Sequence, residues 1–330
     1  MELILLFASF AVILAGALFF TNAVEWIGHR LQMGEGAVGS LLAAVGTAMP
    51  ETLIAIVALV GATRSQEVAV GAIVGAPFLL GTLAMGLVGL FAFLYRRRRP
   101  QGVRLRAHVE TLDRDLVFFL VFFGGGLALG FGAPTAIRIP AGFAFFAAYV
   151  IYVWRTLIRG GETQAEDTLN PLIMARRGRG RREETLPVAM LQFLVGLGAM
   201  IGGAHLFVEE LLHVAETIGA EPIVLSLILA PLATELPEKV NSFFWVRVGK
   251  DSLALGNITG AMVFQSTIPV AIGLIFTDWE LGGNAAISVM LGLAGGVLAY
   301  WALRLRGRFE LPAVVVWIGL YAAFIVIVSV

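Results

Sequence analysis

Residues 45–56 read VGTAMPETLIAI and residues 232–243 read LATELPEKVNSF. Slid by 187 positions, the two stretches place Thr47 on Thr234, Pro50 on Pro237 and Glu51 on Glu238. The register extends to both sides. At the same offset GALFFTNAVEW (16–26) falls on GAHLFVEELLH (203–213), and at 185 GAIVGAPFLLGT (71–82) falls on GNITGAMVFQST (256–267). The loop between the two matches is therefore two residues shorter in the second copy. The chain holds one unit twice, and each copy sets a carboxylate beside a proline inside an apolar run.

Those runs identify the solvent. The chain of 330 residues is 58% hydrophobic and 14% charged, with mean hydropathy +0.88, which is far more apolar than a soluble domain. A spanning helix needs about 20 mostly apolar residues. Ten such segments are predicted, near 3–25, 36–61, 67–95, 115–132, 137–158, 187–213, 221–246, 252–276, 285–304 and 311–329. The first opens on MELILLFASF without a basic leader region, so it reads as a retained helix rather than a cleaved signal. The expected fold class is an all-α membrane protein of ten transmembrane helices in two five-helix repeats.

Basic residues set the orientation, because Lys and Arg concentrate in cytoplasmic loops. With the N-terminus outside, twenty of the 23 basic residues fall in inside loops, Arg64 and Arg138 fall outside, and Lys239 lies within a span. Both termini are thus expected to be extracytoplasmic, in the cell membrane of a prokaryote-like cell. Residues 159–186 form a polar, Arg-rich cytoplasmic linker, too short for a folded domain. It divides a first repeat (1–158, motif GTAMPE) from a second (187–330, motif ATELPE). Its arginines read as topology anchors beside lipid headgroups, not as a nucleic-acid surface. The absence of cysteine excludes disulfides and thiolate metal sites, and histidines 29, 108, 205 and 213 lack zinc spacing.

Five spans per copy is an odd number, so the second copy enters the membrane in the opposite sense. Inverted repeats of this kind mark secondary transporters, whose site lies near the midplane where the repeats meet. The paired (G/A)T-x-x-PE motifs, each followed by a G-x-x-x-G helix, resemble the alpha repeats of the cation/calcium antiporter superfamily, which includes the sodium/calcium exchangers. The resemblance implies that the glutamates, hydroxyls and carbonyls around the motifs serve as ion ligands.

The chemistry of the residues agrees with that implication. A carboxylate at the centre of a spanning helix costs about 2.5–3.5 kcal/mol on insertion scales, so Glu51 and Glu238 should face a partner or a wet cavity. Their hard oxygens suit Ca²⁺ or Na⁺ better than a soft metal. Pro50 and Pro237 each remove a backbone donor, which releases carbonyls near Gly46, Thr47, Ala233 and Thr234. The candidate cation ligands are Glu51, Glu238, Thr47, Thr234, Glu235, Gln265 and Asn257, with Thr259, Ser266 and Thr82 as further neutral oxygens. Gly71, Gly75, Gly81, Gly256 and Gly260 are expected to allow close helix approach.

The second motif departs from the first. Glu235 and Lys239 stand four apart, the spacing and order that favour a helical ion pair, whereas the first copy has Ala48 and Thr52 there. Lys239 is therefore expected as a charge partner, either replacing one cation of the exchange cycle or forming a structural bridge. The following helices also depart from the family pattern. The first copy has no side-chain oxygen at the expected ligand positions, and the second keeps Asn257 with Gln265 where Asn or Asp is usual. Proton coupling through Glu51 or Glu238 is then an alternative, since a buried carboxyl can hold its proton near neutrality.

Glu209, Glu210, His213 and Glu216 read as a solvated face or the mouth of a cation path, and Glu25 with His29 similarly. The expected function is a secondary antiporter exchanging Ca²⁺ or a related cation for Na⁺ or H⁺ by alternating access. It needs no cofactor, and its partners are membrane lipid and inorganic cations, with no obligate protein partner evident. Its rivals are a Na⁺/H⁺ antiporter without calcium transport, a cation channel, and an intramembrane enzyme using the glutamates as acid and base.

Overall fold

The structure is a computed structural model that describes residues 2–30, 43–61, 65–99, 101–105, 109–158, 172–176, 186–306 and 309–329. These residues form α1 (Glu2–Arg30), α2 (Ala43–Val60), α3 (Gln66–Leu79), a π-helical segment (Leu80–Ala84), α4 (Met85–Leu94), α5 (Val109–Leu129) and α6 (Thr135–Ile158). A short 3₁₀ turn at Ile173–Arg176 precedes α7 (Leu186–Ile218), α8 (Pro222–Val248), α9 (Asp251–Gln265), α10 (Ile268–Phe276), α11 (Gly283–Arg306) and α12 (Leu311–Ser329). Among the described residues there is no strand.

Local chemistry sets the helix ends. At the start of α3 the Ser65 hydroxyl accepts from the Val68 amide at 3.2 Å, satisfying one of the orphan donors of the first turn. Helix α8 begins with Pro222, whose missing N–H is not needed there, and ends at Gly249 in the left-handed region (φ +82°). A second constraint closes that turn. Arg99, with its side chain fully buried, pairs with Asp251 Oδ1 at 2.9 Å and donates to the carbonyls of Gly102, Arg104 and Val246.

Among the described residues, seven helices are long and apolar enough to cross a membrane: Leu3–Val24, Gln66–Leu94, Thr135–Thr156, Leu186–Ile218, Asp251–Phe276, Gly283–Arg304 and Leu311–Val328. The chain is an integral membrane protein. Of the other three predicted segments, those of α2 and α8 lie only partly within the residues whose side chains are described, and α5 opens with Glu110, Asp113, Arg114 and Asp115. Large apolar side chains such as Ile4, Phe7, Leu18, Phe143, Trp154 and Val315 lie exposed along α1, α6 and α12, which is stable facing acyl chains and not water.

The helices pack in matching sets. Helix α1 lies along α7, and α5 lies against α11. Helix α3 packs on α8 and α11, as α9 packs on α2 and α5; α4 meets α12, as α10 meets α6. The α3–α8 seam is tight because glycines line it. A Cβ on Gly71 would come 2.5 Å from the Ile223 carbonyl oxygen, one on Gly75 would strike that of Leu227, and Ser226 Oγ donates to the Val68 carbonyl at 2.7 Å. Gly81 meets the backbone of Gly292 and Gly295 in the same way. At Gly256 and Gly260 a Cβ would meet nothing among the described residues. The repeat aligns their counterpart contacts with residues 36–40, which lie outside the description.

Both long helices that follow the PE motifs are interrupted at one corresponding place. After Pro77 the α3–α4 helix widens into the π segment, and the α9–α10 helix breaks at Ser266–Thr267. In each, a threonine hydroxyl takes the carbonyl four residues back: Thr82 donates to Phe78 at 2.6 Å and Thr267 to Val263 at 2.8 Å. These pairs coincide at the 185 offset. Interruptions of this type survive in a membrane only where freed backbone groups find partners inside the protein.

Candidate cation site

Helices α2 and α8 both continue through their prolines, Pro50 and Pro237. Glu51 follows the first of these and is 2% exposed. Among the described residues neither of its carboxylate oxygens has a hydrogen-bond partner. Beside it lie the Thr234 hydroxyl and, within electrostatic reach, Glu235 and Lys239. The Thr234 proton is engaged elsewhere, on the Ala230 carbonyl at 2.8 Å. An ionised carboxylate so placed needs a counter-charge, because an unpartnered buried charge is among the most costly features a fold can hold.

Glu235 is ion-paired through one oxygen and hydrogen-bonded through the other. Lys239 Nζ stands 3.0 Å from Oε2, both side chains being fully buried, and Gln265 Nε2 donates to Oε1 at 3.0 Å. The ion pair expected from the four-residue spacing is thus formed, and α9 is bound to α8 through it. The other end of the Gln265 amide, Oε1, is buried without a hydrogen-bond partner among the described residues. Glu51, Glu235 and Lys239 carry one net negative charge when all are ionised. The free oxygens of Glu51 and Gln265 are hard donors of the kind that alkali and alkaline-earth cations take.

Five of the eight residues predicted for the site are therefore together: Glu51, Thr234, Glu235, Lys239 and Gln265. The side chains of Thr47 and Glu238 lie outside the described ones, as do those of Glu25 and His29. Asn257 donates its amide to Ser242 Oγ at 2.9 Å between α9 and α8. The other neutral candidates face backbone or another group: Ser266 donates to the Val263 carbonyl, and Thr259 to Asp115. Among the described residues no group of three or more His, Asp or Glu side chains converges on one point. In α7, Glu209 and Glu216 are exposed, while Glu210 is buried with Oε2 4.0 Å from His213 Nδ1.

Two buried carboxylates escaped the sequence reading: Asp251, paired with Arg99, and Asp115. Asp115 on α5 is 3% exposed; Oδ1 accepts from Tyr152 at 2.7 Å and from Arg114, and Oδ2 accepts from Thr259 at 3.0 Å. It ties α5, α6 and α9 into one unit beside the site helices. In sequence it reads as a polar flank, ETLDRDL, at the start of a span, and no spacing links it to residues 152 and 259.

A buried carboxylate beside interrupted, proline-bearing helices is an arrangement suited to carrying small cations through a membrane. A profile of the family described as "Sodium/calcium exchanger protein" matches residues 1–158 and 188–330, and the chain belongs to that family. It is 26% identical over 249 residues to "Inner membrane protein YrbG" of Escherichia coli (strain K12), covering 74% of this chain and 70% of the relative. Its fold is that of the H⁺/Ca²⁺ exchanger CAX (TM-score 0.75, 19% identity, 98% of this chain and 81% of the other). The sodium-calcium exchanger NCX_Mj is likewise similar in fold (TM-score 0.60, 18% identity, 98% of each chain). The protein is a cation/calcium antiporter, not an enzyme.

Proposed function

We propose that this antiporter exchanges Ca²⁺, or a closely related cation, for Na⁺ or H⁺ by alternating access, with the cation held between Glu51 of the first repeat and Glu238 of the second. Thr47, Thr234 and the Gln265 carbonyl oxygen supply neutral ligands. The observation that carries this reading is the buried Glu51 carboxylate, which has no hydrogen-bond partner among the described residues. Such a carboxylate is stable beside a cation or with a proton on it, and a carrier that alternates between the two states is an exchanger. Both similar structures are named as calcium exchangers, one coupled to H⁺ and one to sodium, which favours calcium as the shared cargo.

The same reading gives ten spanning helices in two inverted five-helix repeats, 1–158 and 187–330, joined by a cytoplasmic linker at 159–186, with both termini extracytoplasmic. The paired helix contacts and the equivalent Thr82 and Thr267 caps support it. The cations are cargo, and the cycle requires no cofactor and no partner beyond lipid.

The test is uptake of radiolabelled Ca²⁺ into proteoliposomes under an imposed Na⁺ gradient or pH gradient. Uptake driven by one gradient, and abolished in Glu51→Gln and Glu238→Gln, is the expected result and identifies the counter-ion. No calcium movement under either gradient would overturn the reading in favour of Na⁺/H⁺ exchange, with which the single net negative charge of the described cluster is also consistent.

A further inference from the structure

Lys239 is a buried ammonium set among the groups assigned above to the cation. We propose that it acts as a built-in cation: tethered to α8, it takes the place of one monovalent ion that would otherwise be carried in the cycle, and so sets the number of counter-ions exchanged per Ca²⁺. The inference rests on the antiporter reading.

Three observations carry it. First, the pair belongs to the site. Glu235 and Lys239 lie within electrostatic reach of Glu51, and Gln265 offers one amide end to Glu235 while its carbonyl oxygen has no hydrogen-bond partner among the described residues. Second, Glu235 is ion-paired through Oε2 with the ammonium at 3.0 Å and accepts through Oε1 from the Gln265 amide at 3.0 Å. A third negative charge has been added to the two motif glutamates, and it is neutralised from within the chain.

Third, the pair is confined to one repeat. The equivalent positions in α2 are Ala48 and Thr52, where the Thr52 hydroxyl closes the same four-residue step on the Ala48 carbonyl at 2.9 Å. A neutral contact therefore meets the structural need in the first copy. A buried ion pair used for stability alone is poor physics, since similar apolar packing commonly does as well. Its position beside Glu51 and Gln265 is explained if the ammonium does electrostatic work there, meeting a charge that a Na⁺ or H⁺ would otherwise meet. Being covalently tethered, it occupies its place at a fixed local concentration and never leaves with the cargo.

The experiment compares coupling ratios in proteoliposomes. The ratio of counter-ion to Ca²⁺ is read from the membrane potential at which net Ca²⁺ flux stops, in wild type, Lys239→Met and the double variant Glu235→Gln/Lys239→Met. Removing only the ammonium frees Glu235, and the ratio should rise by one monovalent cation, Na⁺ or H⁺. Removing both charges should return the wild-type ratio, whatever the rate. A wild-type ratio in Lys239→Met, or an altered one in the double variant, would overturn the proposal. If Lys239→Met does not fold, Lys239→Gln, which keeps a polar donor opposite Glu235 without its charge, is read by the same criterion as the single variant. Absence of calcium exchange in wild type would defeat the antiporter reading itself, whereas exchange with a ratio indifferent to Lys239 would defeat only this inference.

Discussion

Glu51 is buried, and its chemistry comes from carboxylate oxygens that have no hydrogen-bond partner among the described residues. A hydrogen bond or contact to a charged group is worth about 1.5–3 kcal/mol, so Glu51→Gln should weaken Ca²⁺ binding by roughly 10- to 100-fold while leaving the fold intact. Equilibrium binding and thermal unfolding in detergent, measured together, check both halves of that statement. Much of the residue-scale picture was legible in sequence because the repeat pointed at it. Glu51 and Thr234 stand out by alignment, and Lys239 finds Glu235 by helical spacing. What could not be read was competition for partners. Glu235 was expected both as a cation ligand and as the partner of Lys239; the pair is formed, and Gln265 takes its other oxygen. Asp115 was invisible, since its partners arrive from helices about 40 and 140 residues away in sequence.

Helix contacts decide whether these residues meet. Gly75 touches the backbone of Leu227, and backbone cannot yield as a side-chain tip can. Gly75→Val should force α3 from α8 and destabilise the protein by about 1–3 kcal/mol, visible as a lower Tm, while Gly198→Ala, where a Cβ meets nothing among the described residues, should leave Tm unchanged. The Arg99–Asp251 pair pins the loop after α4 to the α8–α9 turn with both side chains fully buried. Breaking such a pair by removing one partner typically costs about 3–5 kcal/mol. Asp251→Ala should thus lower Tm sharply, and more than removal of the half-exposed Arg304 opposite Asp113. The long apolar runs made most helices plain in the sequence. The interruptions at Leu80–Ala84 and Ser266–Thr267 were not, because they depend on where the freed carbonyls find a hydroxyl.

At the scale of the molecule, the distribution of arginine implies an orientation that can be tested without background, since the chain contains no cysteine. Single cysteines at Glu216 and Lys250, both exposed at opposite ends of α8's connections, should differ in reactivity toward an impermeant maleimide on intact cells. Glu216→Cys should label and Lys250→Cys should label only after permeabilisation; the reverse pattern would invert the topology. The paired contacts between helices place the two motif-bearing helices, α2 and α8, in one bundle with α3 and α9. The central claim is that this meeting point is where the cation sits. The most direct measurement is equilibrium binding of radiolabelled Ca²⁺ to purified wild-type protein and to Glu51→Gln, each confirmed as folded by thermal unfolding. Saturable binding by wild type with at least a tenfold loss in the variant is the predicted result. Equal affinity in two equally stable proteins would contradict the account.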